Sequence, residues 1–174
     1  MAVACDLRDD PNGIQPRFKH DVGYRLTQAA RAIAYGHSDV EFMGPIINQN
    51  PVLSPDTKTV NLTYGSAQSI EVRTLNGFEV RLDIEMHLTL IKYFILSKIC
   101  CVAAECFNDA AWVETKIVDH FNMTVAVAIP PLCSDKKLFG IRYLWRETPC
   151  PFKQAALYSG ADPNLPSPPY YKQF

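Results

Sequence analysis

Apolar residues recur at three- and four-residue steps between Phe18 and Ile33. Phe18, Val22, Leu26, Ala29, Ala30 and Ile33 share one stripe of a helix. Pro16 suits the first turn, because its missing N–H would be unpaired there anyway. Gly36 supplies a left-handed stop. The spacing predicts a helix over 16–35, with Lys19, Arg25, Gln28 and Arg31 on the polar face. Gly23 costs about 1 kcal/mol against alanine inside such a helix, and would permit a close backbone approach.

Beyond the helix the period changes to two. Prolines 45, 51 and 55 and the run Asn48-Gln49-Asn50 mark an irregular connector over 37–55. Val60, Leu62 and Tyr64 then alternate with Thr59, Asn61 and Thr63, which predicts a strand over 57–64. Strands over 69–75 and 78–84 flank Asn76-Gly77, a favoured hairpin turn because both central residues take positive φ. Further strands are predicted over 112–118, 123–129 and 138–145, separated by Pro130-Pro131 and by residues 135–137. Residues from Pro149 onward read as an extended, proline-rich tail laid across the surface. The run 85–99 is densely apolar, but Lys92 and Lys98 interrupt it. It is too short and too charged to span a membrane, and reads as a buried helix or strand. The fold class is α+β: one N-terminal helix, then a mainly antiparallel β region.

Composition narrows the function classes. The 174 residues suffice for one domain with a real core. Seventeen scattered basic residues and a net charge of −1 leave no electrostatic footprint for nucleic acid or an anionic membrane. The opening MAVACDLRDD is not a signal peptide, since acidic residues interrupt it early. Two features point to a secretory parent nonetheless. Asn61-Leu62-Thr63 and Asn122-Met123-Thr124 are glycosylation sequons. The six cysteines, Cys5, Cys100, Cys101, Cys106, Cys133 and Cys150, are disulfide candidates in such a compartment. The contradiction dissolves if Met1 is an internal methionine of a longer chain. No metal is expected: there is no Cys-x-x-Cys pair, and His20, His37, His87 and His120 show no ligand spacing.

The stretch DDPNGIQPRFKHDVGYRLTQAARAIAYG, from Asp9 to Gly36, resembles the last catalytic block of the sialate O-acetylesterases, a family of secreted and lysosomal esterases with an SGNH-hydrolase core. In that family the segment runs G-x-I-H-P-x-x-K into a helix, and its histidine is the base of a Ser-His-Asp triad. Here that position is Gln15. Asp10, or its neighbour Asp9, stands where the resemblance would put the triad carboxylate. GIRYLWRETPCPFKQAALY (140–158) and NLPSPPYY (164–171) resemble the family's final strand and proline-rich end. The resemblance implies two segments: 1–45 as the last part of a hydrolase core, and 46–174 as a C-terminal β region with its tail. Residues 81–99, ahead of the paired Cys100-Cys101, read as an insertion relative to the family.

The resemblance also implies a parent enzyme that hydrolyses O-acetyl esters of sialic acids or sialylated glycans. Water is the acceptor, and no cofactor is needed. An amide cannot take a proton at usable pH, so Gln15 keeps the shape of a base and loses its chemistry. His20, inside the helix, leaves from a different place and direction. The chain contains no Gly-Asp-Ser block and no Gly-x-Ser-x-Gly elbow. The expectation is a truncated or degenerate esterase, inactive alone. One alternative is an active hydrolase whose serine comes from a separate chain. The other is a non-catalytic β module that binds glycan or protein. Trp112 and Trp145 read as core anchors.

Overall fold

A computed structural model describes residues 1–10, 13, 16–56, 58–82, 112–131 and 138–174. Gln15, the whole apolar run 85–99, and Cys100, Cys101, Cys106 and Cys133 lie outside the described residues.

The helix forms as α1, Lys19–Ile33. Pro16 precedes it rather than opening it. Gly36 takes φ +73°, and the amide of His37 reaches back across it to the Arg31 carbonyl at 3.1 Å. Gly23 faces open space, so no close backbone approach explains it. The larger correction concerns which stripe is buried. Val22 is half-buried and Ala29 buried, yet Leu26 is 48% and Ile33 70% exposed. Arg25, expected on the solvent face, is 2% exposed. An ion pair, rather than the apolar periodicity, decides which way this helix faces.

Three antiparallel sheets follow. In the first, β3 (Thr59–Gly65) pairs with β8 (Thr124–Ala128), which pairs with β7 (Ile117–Phe121). β1 (Ile46–Ile47) and β2 (Val52–Leu53) both pair with β3, at its two ends. The second sheet runs β11 (Tyr170–Gln173), β9 (Leu138–Tyr143), β5 (Phe78–Leu82), β6 (Trp112–Thr115). A two-stranded ribbon joins β4 (Ile70–Val72) to β10 (Leu157–Ser159). The alternation along β3 holds: Val60, Leu62 and Tyr64 are buried, and the residues between them are half-exposed. They share one core with Val125 and Val127 of β8 and with Phe78, Val80, Ile141 and Tyr143 of the second sheet. The hydroxyls of Tyr64 and Tyr170 meet at 2.5 Å and bridge the two sheets. The α+β class, one helix with mainly antiparallel strands, is what the structure shows.

Several local expectations fail for tertiary reasons. The strands flanking Asn76-Gly77 do not pair with each other. β4 pairs with β10, and β5 with β6 and β9, so the chain changes sheets at Gly77 instead of forming a hairpin. Gly77 has φ +113°, and its carbonyl accepts the Leu144 amide at 3.0 Å. The two-residue hairpin occurs instead at Asn122-Met123, between β7 and β8, where Asn122 takes φ 51°. The strand expected over 112–118 is two strands in two sheets, split at Lys116. The tail is no surface drape. Ala155, Ala156, Leu157 and Tyr158 are fully buried, and β10 and β11 each complete a sheet. Trp112 is a core anchor, 6% exposed, whereas Trp145 is 52% exposed.

A buried charge cluster ties the N-terminal segment, α1 and β10 together. Asp6 accepts two hydrogen bonds from Arg25, at 2.6 and 2.8 Å, and a third from the Tyr158 hydroxyl at 2.6 Å. Arg25 also donates to the carbonyls of Val3 and Asn164, each at 2.7 Å. Four of the guanidinium's donor bonds are thus placed on four acceptors. Removing one member of such a pair strands a buried charge, which costs about 3–5 kcal/mol. Asp6→Asn should therefore lower the unfolding free energy in urea by about that amount. The double change Asp6→Leu/Arg25→Met should recover more than half of the loss. A cost below about 1 kcal/mol for Asp6→Asn would mean that the cluster is not buried as described.

Candidate functional site

The block from Asp9 to Gly36 enters α1 beside a shallow cleft of about 490 Å³, lined by Arg8, Asp9, Thr148, Pro149, Cys150, Pro151 and Phe152. Its two walls are the two segments that carried the sequence resemblance. They are stitched together along their length. Arg8 donates to the backbone carbonyl of Glu147 at 3.1 Å and to its carboxylate at 3.0 Å. The Lys153 amide donates to the Asp6 carbonyl at 2.7 Å, and the Lys153 ammonium to Asp21 at 2.7 Å. The rings of Phe18 and Phe152 pack with centroids 4.6 Å apart.

α1 is anchored to the same wall farther along. Tyr24 donates to Asp162 at 2.7 Å and accepts from Gln28 at 3.1 Å. Arg73 lies over the Tyr158 ring, 3.5 Å from its centroid, and donates to Glu71 and to the Pro163 carbonyl. That arrangement gives the tyrosine that supports Asp6 a charged lid. Burial, with Asp6 as hydrogen-bond partner, pushes the Tyr158 hydroxyl well above its ordinary range, so it stays a donor. None of these residues was singled out by sequence reasoning. The one available signal was Arg25, a cation flanked by the apolar positions Val22, Leu26 and Ala29.

Of the two candidate carboxylates, Asp9 lines the cleft and Asp10 does not. Asp9 accepts from Arg17 at 2.6 Å. Desolvation raises the carboxyl, but the hydrogen bonds it accepts, from Arg17 first, and the Arg17 charge together outweigh that and hold it below the usual carboxylate range. Asp10 uses its backbone carbonyl, which accepts from the Gly13 amide at 2.9 Å and from Arg8 at 3.2 Å. Asp9 is therefore an ionised group already engaged by a cation. His20, His37 and His120 are all exposed, and none lines the cleft.

The two described cysteines, Cys5 and Cys150, pack against the core as thiols. Burial first, then the nearby Asp6, pushes Cys5 up to about 12 and Cys150 up to about 11. Thiols so placed are poor nucleophiles at neutral pH, because the thiolate is the reactive form. Among the described residues, no group of three or more His, Cys, Asp or Glu could hold a metal ion. No helix among them is long and apolar enough to cross a membrane.

The two sequons lie on neighbouring strands. Asn61 is half-buried in mid-β3, opposite Ala126, and Asn122 is exposed at the β7–β8 turn. Their threonines are cross-strand partners, with the hydroxyls of Thr63 and Thr124 3.4 Å apart.

Comparison with known proteins shows the family. A family model described as the sialate O-acetylesterase C-terminal domain matches residues 49–174. The sialate O-acetylesterase of Mus musculus is 30% identical over 99% of this chain and 28% of its own length. Those of Pongo abelii and Homo sapiens are each 34% identical over 98% of this chain and 28% of their own. The chain thus spans little more than a quarter of the length of these relatives. With more than half of its residues inside the C-terminal-domain match, and the catalytic-block resemblance just ahead of it, the chain belongs to the sialate O-acetylesterase family.

Proposed function

We propose that this chain is the C-terminal part of a sialate O-acetylesterase-type hydrolase, and that the 174 residues have no esterase turnover by themselves. The carrying observation is Gln15, an amide where the family's catalytic block has its histidine. Acyl transfer needs a group that takes the serine proton and returns it to the leaving group, and a carboxamide has no usable basicity. Two further observations support the reading. The chain contains no Gly-Asp-Ser block, and its described thiols are held protonated by burial.

In this reading the cleft beside Asp9 is the edge of a catalytic site. The 148–152 segment forms one rim and Arg8 and Asp9 the other. The substrate class carried by the family name is an O-acetyl ester of a sialic acid, with water as acceptor. The parent is a secreted or lysosomal SGNH hydrolase that carries N-linked glycans. Asp9 would orient an imidazole at position 15. With Gln15 in that place, it meets Arg17 and has no proton-transfer role.

Three outcomes test this. Purified chain should release no acetate from an O-acetylated sialic acid above a heat-denatured control. Turnover that a serine-directed covalent inhibitor abolishes would contradict the proposal. Gln15→His should leave the 174-residue chain inactive, since a base contributes only about 10²–10⁴-fold and needs a serine within hydrogen-bond reach. In a fusion behind the portion that precedes the matched segment of the Mus musculus relative, histidine at position 15 should exceed glutamine by at least about 10²-fold. Equal turnover of the two fusions would show that position 15 is not the base. Finally, expression behind a signal peptide should yield glycans at Asn61 and Asn122. Mass spectrometry finding both asparagines bare would count against a secretory parent.

A further inference from the structure

Part of the apolar stripe of α1 that the sequence predicts is left open by the described residues. Leu26, Ala30 and Ile33, at steps of four and three, are all exposed, while Arg25 and Ala29 turn inward. Tyr35 extends the stripe past the helix end at 76% exposure. At Ile33 the stripe runs into an apolar groove of about 680 Å³, whose other walls include Val3, Phe42, Met43, Pro168 and Pro169. A helix with one face locked by an ion pair and the adjoining face periodic and apolar has the pattern of an element packed against two neighbours. A contiguous exposed patch of this kind marks an interface.

The comparisons indicate what covers it. The C-terminal-domain match begins at residue 49 and runs to residue 174, yet the relatives match nearly all of residues 1–48 as well. In those relatives, α1 therefore corresponds to chain just ahead of the C-terminal domain, within the matched quarter and next to the larger portion that this chain does not match. We infer that the Leu26–Ala30–Ile33 face and the adjoining groove form the docking surface for that preceding hydrolase portion. α1 is then the shared wall: Arg25 joins it to the β region, and Leu26 and Ile33 join it to the hydrolase. This inference rests on family membership and is independent of whether position 15 supports turnover.

Ile33→Cys and, as a control on β7, Val118→Cys (native Val118 is 56% exposed) provide the measurement. Each is labelled with a maleimide and read by peptide mass mapping. The chain alone is compared with the fusion behind the preceding portion of the Mus musculus relative. Labelling at position 33 should slow at least about tenfold in the fusion, as expected of a site reached only by local opening. Position 118 should be unchanged. Equal labelling at position 33 in both forms overturns the inference. So does sedimentation showing that the chain alone forms a dimer lost in Leu26→Asp/Ile33→Asp, because a second copy would then be the occupant. A readout that does not depend on the fusion folding is an apolar fluorescent dye. The chain alone should bind it, and Leu26→Asp/Ile33→Asp should reduce the signal at least about twofold. An unchanged signal would mean that this face is not an open apolar surface. Acetate release by the same fusion is read separately, so failure of the catalytic proposal and failure of the docking surface give different results.

Discussion

Asp6 is the hinge of this structure. Its carboxylate, with no exposed surface, receives Arg25 from α1 and Tyr158 from β10, while Asp6 itself belongs to the N-terminal segment. Taking a carboxylate and a guanidinium out of water is expensive, and the cost is offset only when their hydrogen-bonding capacity is nearly filled. Here it is: the carbonyls of Val3 and Asn164 take further donors of Arg25, and Arg73 covers the ring of Tyr158. The geometry follows from that cluster. It fixes the rotation of α1, draws residues 1–10 onto the C-terminal segment, and so sets the two walls of the cleft beside Asp9.

In the proposed reading, the cleft keeps a shape while the chemistry attached to it has changed. Asp9 remains ionised and paired with Arg17, and the rim at 148–152 is fixed by Arg8 and Lys153. A triad carboxylate orients a histidine and stabilises its charged form. In the proposed reading, a carboxamide at position 15 leaves no charge to stabilise, and the pairing of Asp9 with Arg17 costs the site nothing. The buried thiols point the same way, because burial and the Asp6 charge keep them protonated. In that reading, the family fold supplies a scaffold and an edge here.

Much of the fold was legible because local and tertiary preferences agree. The alternation in β3 survives because both of its neighbours are strands and one of its faces meets the core. Gly36 could be read as a stop because its left-handed φ is a backbone requirement that needs no partner. The failures occur where partners distant in sequence decide. Asn76-Gly77 has hairpin chemistry, but β4 finds β10, some eighty residues on. The proline-rich tail looked like a drape because prolines hide strand signals, and the burial of 155–158 depends on Tyr143, whose hydroxyl accepts the Leu157 amide at 2.9 Å. Arg25 sits among apolar positions, but nothing local announces that Asp6 will meet it. The likeness of residues 9–36 to the family's catalytic block was legible only through resemblance, since spacing alone cannot distinguish an Asp-Asp turn at a helix start from a triad carboxylate.

The central claim is that α1 and the N-terminal segment are part of one cooperative unit with the β region, through Asp6 and Arg25. Native-state hydrogen exchange of the chain measures this directly. Amides of α1 from Leu26 to Ile33 should open with a free energy within about 1 kcal/mol of those in β8 and β9, as elements of one cooperative unit do. If α1 exchanges several kcal/mol more easily than the strands, it unfolds as a separate unit. The ion pair would then not hold the fold together as described.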